Sequence, residues 1–149
     1  MGQQELGKWQ LKEVPKGAIG FVYKIDFLDG ASYIGKKNFY TTRKRRFGKK
    51  EASLVTDKRK KLYEMVTKES NWRDYNSSSD IVKEKIESGI SFNKSVLQVA
   101  YSVKELTYLE SKFMFKYSVL EKSWFINDNI FGKFFREEVS SWEERRKSE

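Results

Sequence analysis

A strand–turn–strand pattern over residues 20–35 constrains the fold of this chain more than any other feature. Residues 21–28 are rich in β-branched and aromatic side chains, Asp29-Gly30 is a turn signal, and residues 32–35 begin a returning strand. The two strands can therefore pair locally as a β-hairpin, which places a sheet at the start of the folded part of the chain. Each strand carries one tyrosine, Tyr23 and Tyr33.

The length of the hairpin loop decides whether these two tyrosines lie on the same face of the sheet. A two-residue loop, Asp29-Gly30, would put them on opposite faces, because a register change of one residue turns every side chain over. A three-residue loop over 28–30, with Gly30 in the left-handed conformation, puts both on one face. Tyrosines also occur in strands simply because they pack well there. We predict the three-residue loop with Gly30 at positive φ, since two tyrosines that serve one site must share a face.

A basic segment follows the hairpin directly. No Asp or Glu occurs between Gly30 and Lys50, and Phe39, Tyr40 and Phe47 lie among the cations. Charge runs are usually solvated surface, but lysine and arginine beside aromatic rings suit contacts with phosphates and stacking on bases. The composition therefore favours contact with nucleic acid. The predicted nucleic-acid-binding residues are Lys36, Lys37, Lys44, Arg45, Arg46, Lys49 and Lys50.

The charge of the whole chain points the same way. Its 149 residues include 30 Lys and Arg against 21 Asp and Glu, a formal net charge of +9. This balance favours a polyanionic partner, either nucleic acid or an anionic membrane surface. Cysteine is absent, which excludes disulfides and thiolate zinc sites, and histidine is absent, which removes the commonest general base. The sequence shows neither a membrane span nor a signal-peptide core, so we expect an intracellular protein, and its length predicts a single domain.

The rest of the chain alternates between helical patterns and one further strand. The sequence predicts a helix over 51–68, a short helix over 80–89 with Asp80 as its cap, and a third strand over 92–100. Ser102 and Glu105 form a capping box, which predicts a helix beginning at Val103. Residues 136–149 are expected to form a short amphipathic helix or a frayed tail, and Trp9 is a candidate anchor for the N-terminal segment.

One carboxylate on the predicted helix after the third strand lies near its apolar side. At about 100° per residue, Glu110 falls roughly 50° from the centre of the apolar stripe. A carboxylate near a buried face costs free energy unless something compensates it. Two explanations stay open: a stripe edge that is partly exposed or ion-paired, and a metal ligand. Glu105 and Glu121 are rivals, but Glu105 is explained by capping and Glu121 lies near the predicted helix end.

Taken together, these features resemble the GIY-YIG nuclease family. The second triplet of that family is intact here as Tyr-Ile-Gly at 33–35, and the first is degenerate as Phe-Val-Tyr at 21–23, with its tyrosine in place. The family arginine matches Arg43, eight positions after Gly35. The resemblance covers about residues 20–131. It implies an α/β (α+β) fold with a small central three-stranded antiparallel sheet flanked by helices. It also implies one nuclease domain over 1–149, with its core at about 18–135.

The resemblance also implies an activity and a set of site residues. The expected activity is a metal-dependent DNA endonuclease that hydrolyses phosphodiester bonds with one divalent metal, Mg2+ or Mn2+. Glu110 matches the glutamate that binds the metal in the family, on the helix after the third strand. Arg43 would offset charge on the phosphate, and Tyr23 or Tyr33 would position or deprotonate the attacking water. The expected catalytic residues are Tyr23, Tyr33, Arg43, Glu110 and Asn127.

Two positions of the family pattern require a choice. The family asparagine that closes the core has two candidates, and Asn127 is preferred to Asn129 because it follows an apolar pair, as the family residue does. Many family members have a histidine or tyrosine one helical turn after the arginine, but that position here is Phe47, which cannot act as a base. The expectation for a general base therefore moves to Tyr23, with Lys44 or a neighbouring lysine assisting.

Two other classes of function stay open on the sequence. The degenerate first triplet and Phe47 keep a catalytically impaired nucleic-acid-binding module on the same scaffold possible, and a basic structural or inhibitory protein with an acidic partner is the third class. The small, basic, lysine-rich chain has the character of a phage or mobile-element protein. Its expected partner is DNA and not a membrane, with specificity that is low or supplied by a homo-oligomer.

Overall fold

The computed structural model describes residues 5–57 and 59–148. A three-residue 3-10 turn lies at Trp72–Asp74, and the helices and strands follow in chain order as β1 (Gly20–Phe27), β2 (Ser32–Asn38), β3 (Tyr40–Arg46), α1 (Lys49–Ser53), β4 (Tyr63–Glu69), α2 (Asp80–Glu87), β5 (Phe92–Ala100), α3 (Val103–Lys116), β6 (Asn129–Ile130), β7 (Phe134–Phe135) and α4 (Arg136–Lys147). The described residues contain no helix with the length and apolar character needed to cross a bilayer.

The expected three-stranded antiparallel sheet forms, in the order β2-β1-β5. Its hairpin has the predicted register, with Tyr23 opposite Gly35 and Ile25 opposite Tyr33. The loop between β1 and β2 has three residues, because Phe27 donates its N–H to the carbonyl of Ala31 across 2.8 Å. Gly30 has a φ of +102°, which confirms the predicted left-handed residue. The rings of Tyr23 and Tyr33 share a face, with 6.2 Å between their centroids.

Close contact with the Tyr23 ring explains why the Tyr-Ile-Gly triplet ends in glycine. Gly35 lies opposite Tyr23, whose ring packs over the glycine in place of a side chain. A Cβ built on Gly35 would overlap the hydroxyl oxygen of Tyr23 and lie 2.6 Å from the ring carbon that carries it, closer than real Cβ contacts come. Any larger residue at this position would therefore push the Tyr23 ring out of its place.

We expect Gly35→Ala to destabilise the protein by about 1–3 kcal/mol, as overpacked core substitutions do. The measurement is the midpoint of thermal or denaturant unfolding. Gly48→Ala is the matched control, since a Cβ there meets its nearest atom only at 4.0 Å. Equal stability of the two variants would show that Tyr23 moves aside at no cost.

Two apolar layers cover the sheet. On one face α3 packs against β1 and β2 through Val22, Ile34, Leu106, Leu109 and Phe113. On the other face an aromatic cluster of Trp9, Phe21, Tyr23, Phe39 and Trp72 packs beside Val82 of α2. The predicted N-terminal anchor is confirmed, because Trp9 is buried and its indole N–H donates to the Trp72 carbonyl across 2.7 Å.

The predicted helix over 51–68 is wrong. The structure has only the five-residue helix α1 and then strand β4, which pairs antiparallel with β3. The apolar residues assigned to that helix do not pack against the core, and Leu54, Leu62 and Met65 are exposed. Pairing with β3 satisfies the backbone groups of β4, and its Tyr63, Val66 and Thr67 are residue types that favour strands. Lys58 lies outside the described residues.

The other predicted elements are confirmed, with one change of cap. Strand β5 has the predicted bounds, and α3 begins at Val103 after Ser102, whose hydroxyl accepts from the N–H of Glu105 across 3.0 Å. The cap of α2 is Ser79, which accepts from Val82, and Asp80 occupies the first turn. The negative charge of Asp80 in the first turn interacts favourably with the positive end of the helix dipole, although Asp80 does not cap the helix. The C-terminal segment is the helix α4.

Candidate active site

A cavity of about 820 Å3 opens beside the outer strand of the sheet. Strand β2 contributes Tyr33 and Lys36, helix α3 contributes Thr107 and Glu110, and the segment after α3 contributes Asn127. The start of α2 and the loop around Gly132 complete the walls. Three of the five expected catalytic residues, Tyr33, Glu110 and Asn127, therefore line one cavity.

Glu110 places a carboxylate on the wall of this cavity. Helix α3 buries Leu106, Leu109 and Phe113 against the sheet, and Glu110 lies at the border of that apolar side. Its side chain is 20% exposed. Burial raises the pKa of Glu110 above its ordinary value, and the ammonium of Lys36 partly offsets this rise. An ionised carboxylate at this position is therefore costly until a cation joins it.

Lys36 supplies the positive charge nearest to that carboxylate. Its ammonium lies 4.0 Å from a carboxylate oxygen of Glu110 and donates to the Thr107 hydroxyl across 3.2 Å. Its side chain is 40% exposed, so the charge remains accessible from the cavity. Of the residues predicted to bind nucleic acid, Lys36 is the one that lines the cavity.

The two tyrosines lie at different depths. Tyr33 is half-buried and lines the cavity, whereas Tyr23 is buried beneath it in the aromatic cluster. Burial raises the pKa of Tyr23 far above its ordinary value. Burial also raises the pKa of Tyr33, and the nearby Glu110 carboxylate adds to this rise. Both shifts are upward, so Tyr23, the expected general base, is poorly suited to accept a proton from water.

Ser77 contributes to the site in a way that the sequence reasoning missed. Its side chain lowers the pKa of both Tyr23 and Tyr33 and so offsets part of the rise that burial causes, and its oxygen accepts from the N–H of Ser79 across 3.0 Å. Ser77 is buried and has a φ of +102°, a conformation that a non-glycine residue rarely adopts. A serine in a polar loop gives no signal of this role, because the contact depends on how the loop packs.

Asn127 joins the segment after α3 to the edge of the sheet. Its amide accepts from the N–H of Ile34 across 3.0 Å and donates to the Ile34 carbonyl across 2.7 Å. The side chain thus pairs with β2 as a neighbouring strand would. Because Ile34 follows Tyr33 directly, this contact fixes the position of the tyrosine and of the strand that carries Lys36.

Arg136 is a second residue that the sequence reasoning missed. Its guanidinium donates to main-chain carbonyls throughout the segment after α3, including those of Val119 at 2.6 Å, Phe125 at 2.7 Å and Asn127 at 2.6 Å. Five donors in a fixed fork suit such a cluster of acceptors. Arg136 therefore holds the segment that presents Asn127 to the sheet.

The remaining predicted site residues lie outside the cavity. Arg43 is exposed on β3, opposite Val66 of β4, and the cavity wall is formed by other residues. Lys37 packs over the ring of Tyr75 at 4.0 Å. Arg45 forms ion pairs with Glu64 at 2.6 Å and with Glu51 at 2.7 Å. Lys44, Arg46, Lys49 and Lys50 also belong to the β3–α1 segment.

The cavity provides a limited set of ligands for a divalent cation. The described residues contain no cluster of three or more His, Cys, Asp or Glu side chains that could hold a metal. Glu110 is the half-buried carboxylate of the cavity wall, and Asp80 and Asp128 lie exposed at its rim. Such a set fits Mg2+, which commonly uses one or two carboxylates and completes its shell with water and substrate phosphate.

The chain is similar to known endonucleases over most of its length. Residues 5–130 match the family model described as "Putative endonuclease segE, GIY-YIG domain". A curated relative, "Intron-associated endonuclease 2" of Enterobacteria phage T4, is 28% identical over 142 residues, which are 94% of this chain and 45% of that protein. The chain thus spans less than half the length of this relative. No solved structure matches the chain significantly.

Proposed function

The chain belongs to the GIY-YIG endonuclease family, and from this premise we propose that it hydrolyses phosphodiester bonds of DNA in the cavity beside β2. One observation carries the proposal: Tyr33, Lys36 and Glu110 come from two separate elements and meet in one accessible cavity. A carboxylate, an ammonium and a hydroxyl are the groups that a metal-assisted attack on a phosphate requires.

The proposed roles follow from the position of each side chain. Lys36 contacts a phosphate oxygen and offsets the negative charge that develops there, a role assigned to Arg43 on the sequence. Tyr33 orients the attacking water through its hydroxyl, which stays protonated because its pKa is raised. Tyr23 and Asn127 are positioning residues, the first beneath Tyr33 and the second on the backbone that follows it.

Glu110 is the proposed ligand of the divalent cation, Mg2+ or Mn2+. The cation would supply positive charge that polarises the phosphate and stabilises the leaving oxygen when bound. Lys36 stands 4.0 Å from Glu110, so one phosphate group can reach both the ammonium and the neighbourhood of the carboxylate.

A DNA-binding module without activity is the second candidate function. It is favoured by the exposed position of Arg43 on β3 and by Phe47, which replaces a group that many relatives use. In this candidate function the basic surface binds DNA and the cavity has no catalytic role. Metal-dependent cleavage is the property that separates the two functions.

We expect purified protein to convert supercoiled plasmid to nicked and linear forms in magnesium, and to stop when a chelator is added. The physical reason is that Glu110 has no positive charge of its own, and a divalent cation that it holds would supply the charge that polarises the phosphate. The measurement is gel analysis of plasmid over time, with a gel-retardation assay in the absence of metal. Retardation without cleavage in magnesium or manganese would support the inactive module instead.

A further inference from the structure

Strands β3 and β4 form a two-stranded ribbon that core packing does not explain. Every residue of both strands is exposed or half-buried, and the ribbon forms a sheet of its own, separate from β2-β1-β5. An isolated two-stranded ribbon is marginally stable in water. A ribbon of this kind is therefore better explained by a contact that it makes with a partner than by the stability of the fold.

The ribbon and the segment that connects its two strands carry most of the net charge of the chain. Residues 40–69 contain 11 Lys and Arg against 4 Asp and Glu, so they contribute +7 of the formal net charge of +9. Most of the net charge therefore belongs to β3, β4 and the residues between them. A projecting cationic element is complementary to a polyanion.

The register separates the ribbon into two faces with different chemistry. Thr42, Lys44 and Arg46 lie opposite Thr67, Met65 and Tyr63, and together these six residues define the Lys44 face. On the opposite face, Arg45 is held by ion pairs with Glu51 and Glu64. Arg45 on the opposite face therefore links α1 to β4.

The Lys44 face remains open to a partner. The ammonium of Lys44 lies 4.5 Å from the centre of the Tyr63 ring, and that of Lys61 lies 5.5 Å from it. Met65 on the same face is 57% exposed. Cations, an aromatic ring, hydroxyls and an exposed thioether side chain suit contact with phosphates and base edges together.

The size and attachment of the ribbon fit the major groove of duplex DNA. Seven residues per strand span about 23 Å, and two paired strands fit a groove about 12 Å wide. The root is firm, because Phe39 is buried against Trp72 and Ser70 donates to the carbonyls of Asn38 and Phe39. Strand β2 leads from this root to Lys36 at the cavity.

We propose that the β3–β4 ribbon enters the major groove of duplex DNA with its Lys44 face toward the bases and holds the duplex beside the cavity. This inference rests on the proposed function only in taking DNA as the substrate. The major groove of A-form RNA is too deep and narrow for such an element, so double-stranded RNA is not a partner of the ribbon.

The test is the affinity for a duplex oligonucleotide, measured by fluorescence anisotropy without divalent metal at several salt concentrations. Lys44→Ala/Arg46→Ala is expected to weaken binding by at least about tenfold and to reduce the salt slope by about 0.9 for each phosphate that the protein no longer neutralises. The matched control is Lys68→Ala/Arg145→Ala, which removes the same two residue types from the opposite face and from α4. The control is expected to bind within about threefold of the wild type, and equal losses of affinity in both variants would overturn the proposal.

Groove ligands provide the second measurement. Methyl green, which occupies the major groove, is expected to displace the protein, and distamycin, which occupies the minor groove, is not. Displacement by distamycin alone, or equal binding of double-stranded RNA, would overturn the proposal. Because binding is measured without metal, these results stand whether or not the protein cleaves DNA, and loss of cleavage in Glu110 variants leaves them unchanged.

Discussion

Glu110→Gln is expected to lower the single-turnover rate of DNA cleavage by about a hundredfold to a thousandfold. A divalent cation contributes several kcal/mol of charge stabilisation, and each 1.36 kcal/mol corresponds to a factor of ten. Glutamine keeps the shape of the side chain but removes the charge that would hold the cation. The measurement is the cleavage rate at saturating DNA over a range of magnesium concentrations.

The same substitution is expected to leave folding and DNA retention intact. Burial raises the pKa of Glu110, so the ionised carboxylate carries a cost in the metal-free protein that glutamine does not have. The unfolding midpoint of the variant at neutral pH should therefore equal or exceed that of the wild type. Glu121→Gln is the matched control, because it removes the same charge from an exposed position near the end of α3. Full cleavage by Glu110→Gln would place the metal at another carboxylate.

Lys36→Met is expected to reduce cleavage far more than Arg43→Met, although both variants lose one positive charge. Lys36 lies in the cavity, 4.0 Å from Glu110, whereas Arg43 is exposed on the ribbon. Loss of one group that stabilises developing negative charge costs about a hundredfold to a thousandfold in rate. Arg43→Met should keep a single-turnover rate close to that of the wild type at saturating DNA, because Arg43 lies outside the cavity and on the ribbon face opposite Lys44.

Single-turnover rates at saturating DNA and magnesium separate a defect in the chemical step from a defect in binding. A rate defect in Lys36→Met that persists at saturation identifies a contribution to the chemical step and not to affinity. A larger persistent defect in Arg43→Met would contradict this assignment. It would show that the ribbon closes over the cavity when DNA binds and delivers the arginine that the family resemblance assigns to the phosphate.

Burial also changes what can be expected of the tyrosines. On the sequence, Tyr23 is the favoured base because Phe47 stands where many family members have a histidine or tyrosine. Tyr23 is buried, and burial raises its pKa. Removal of its hydroxyl is therefore expected to affect the packing around Ser77, and to affect proton transfer less. Tyr33 is the tyrosine that lines the cavity.

Local sequence determined the hairpin, the third strand and the helix that carries Glu110. The three-residue loop follows from Gly30, which adopts φ of +102° at no steric cost, and the loop length then fixes which face each tyrosine takes. The start of α3 follows from the Ser102 cap, and the helical period then places Glu110 at the border of its apolar side. These features depend on residues within a few positions of one another, so a single sequence contains the information.

Only the tertiary structure decided where the cations act and how deep the tyrosines lie. Residues 51–68 have an apolar spacing that suits a helix, but strand β4 forms because β3 offers it backbone partners and no core surface is available for a helical stripe. Formation of β4 places Arg43 on the ribbon, whereas Lys36 lies on β2 and lines the cavity. Trp9 and Tyr75 pack against the ring of Tyr23, and Asn127 reaches Ile34 because Arg136 holds the segment after α3. Each of these contacts joins residues far apart in the chain, and their geometry exists only once the sheet and its two apolar layers have formed.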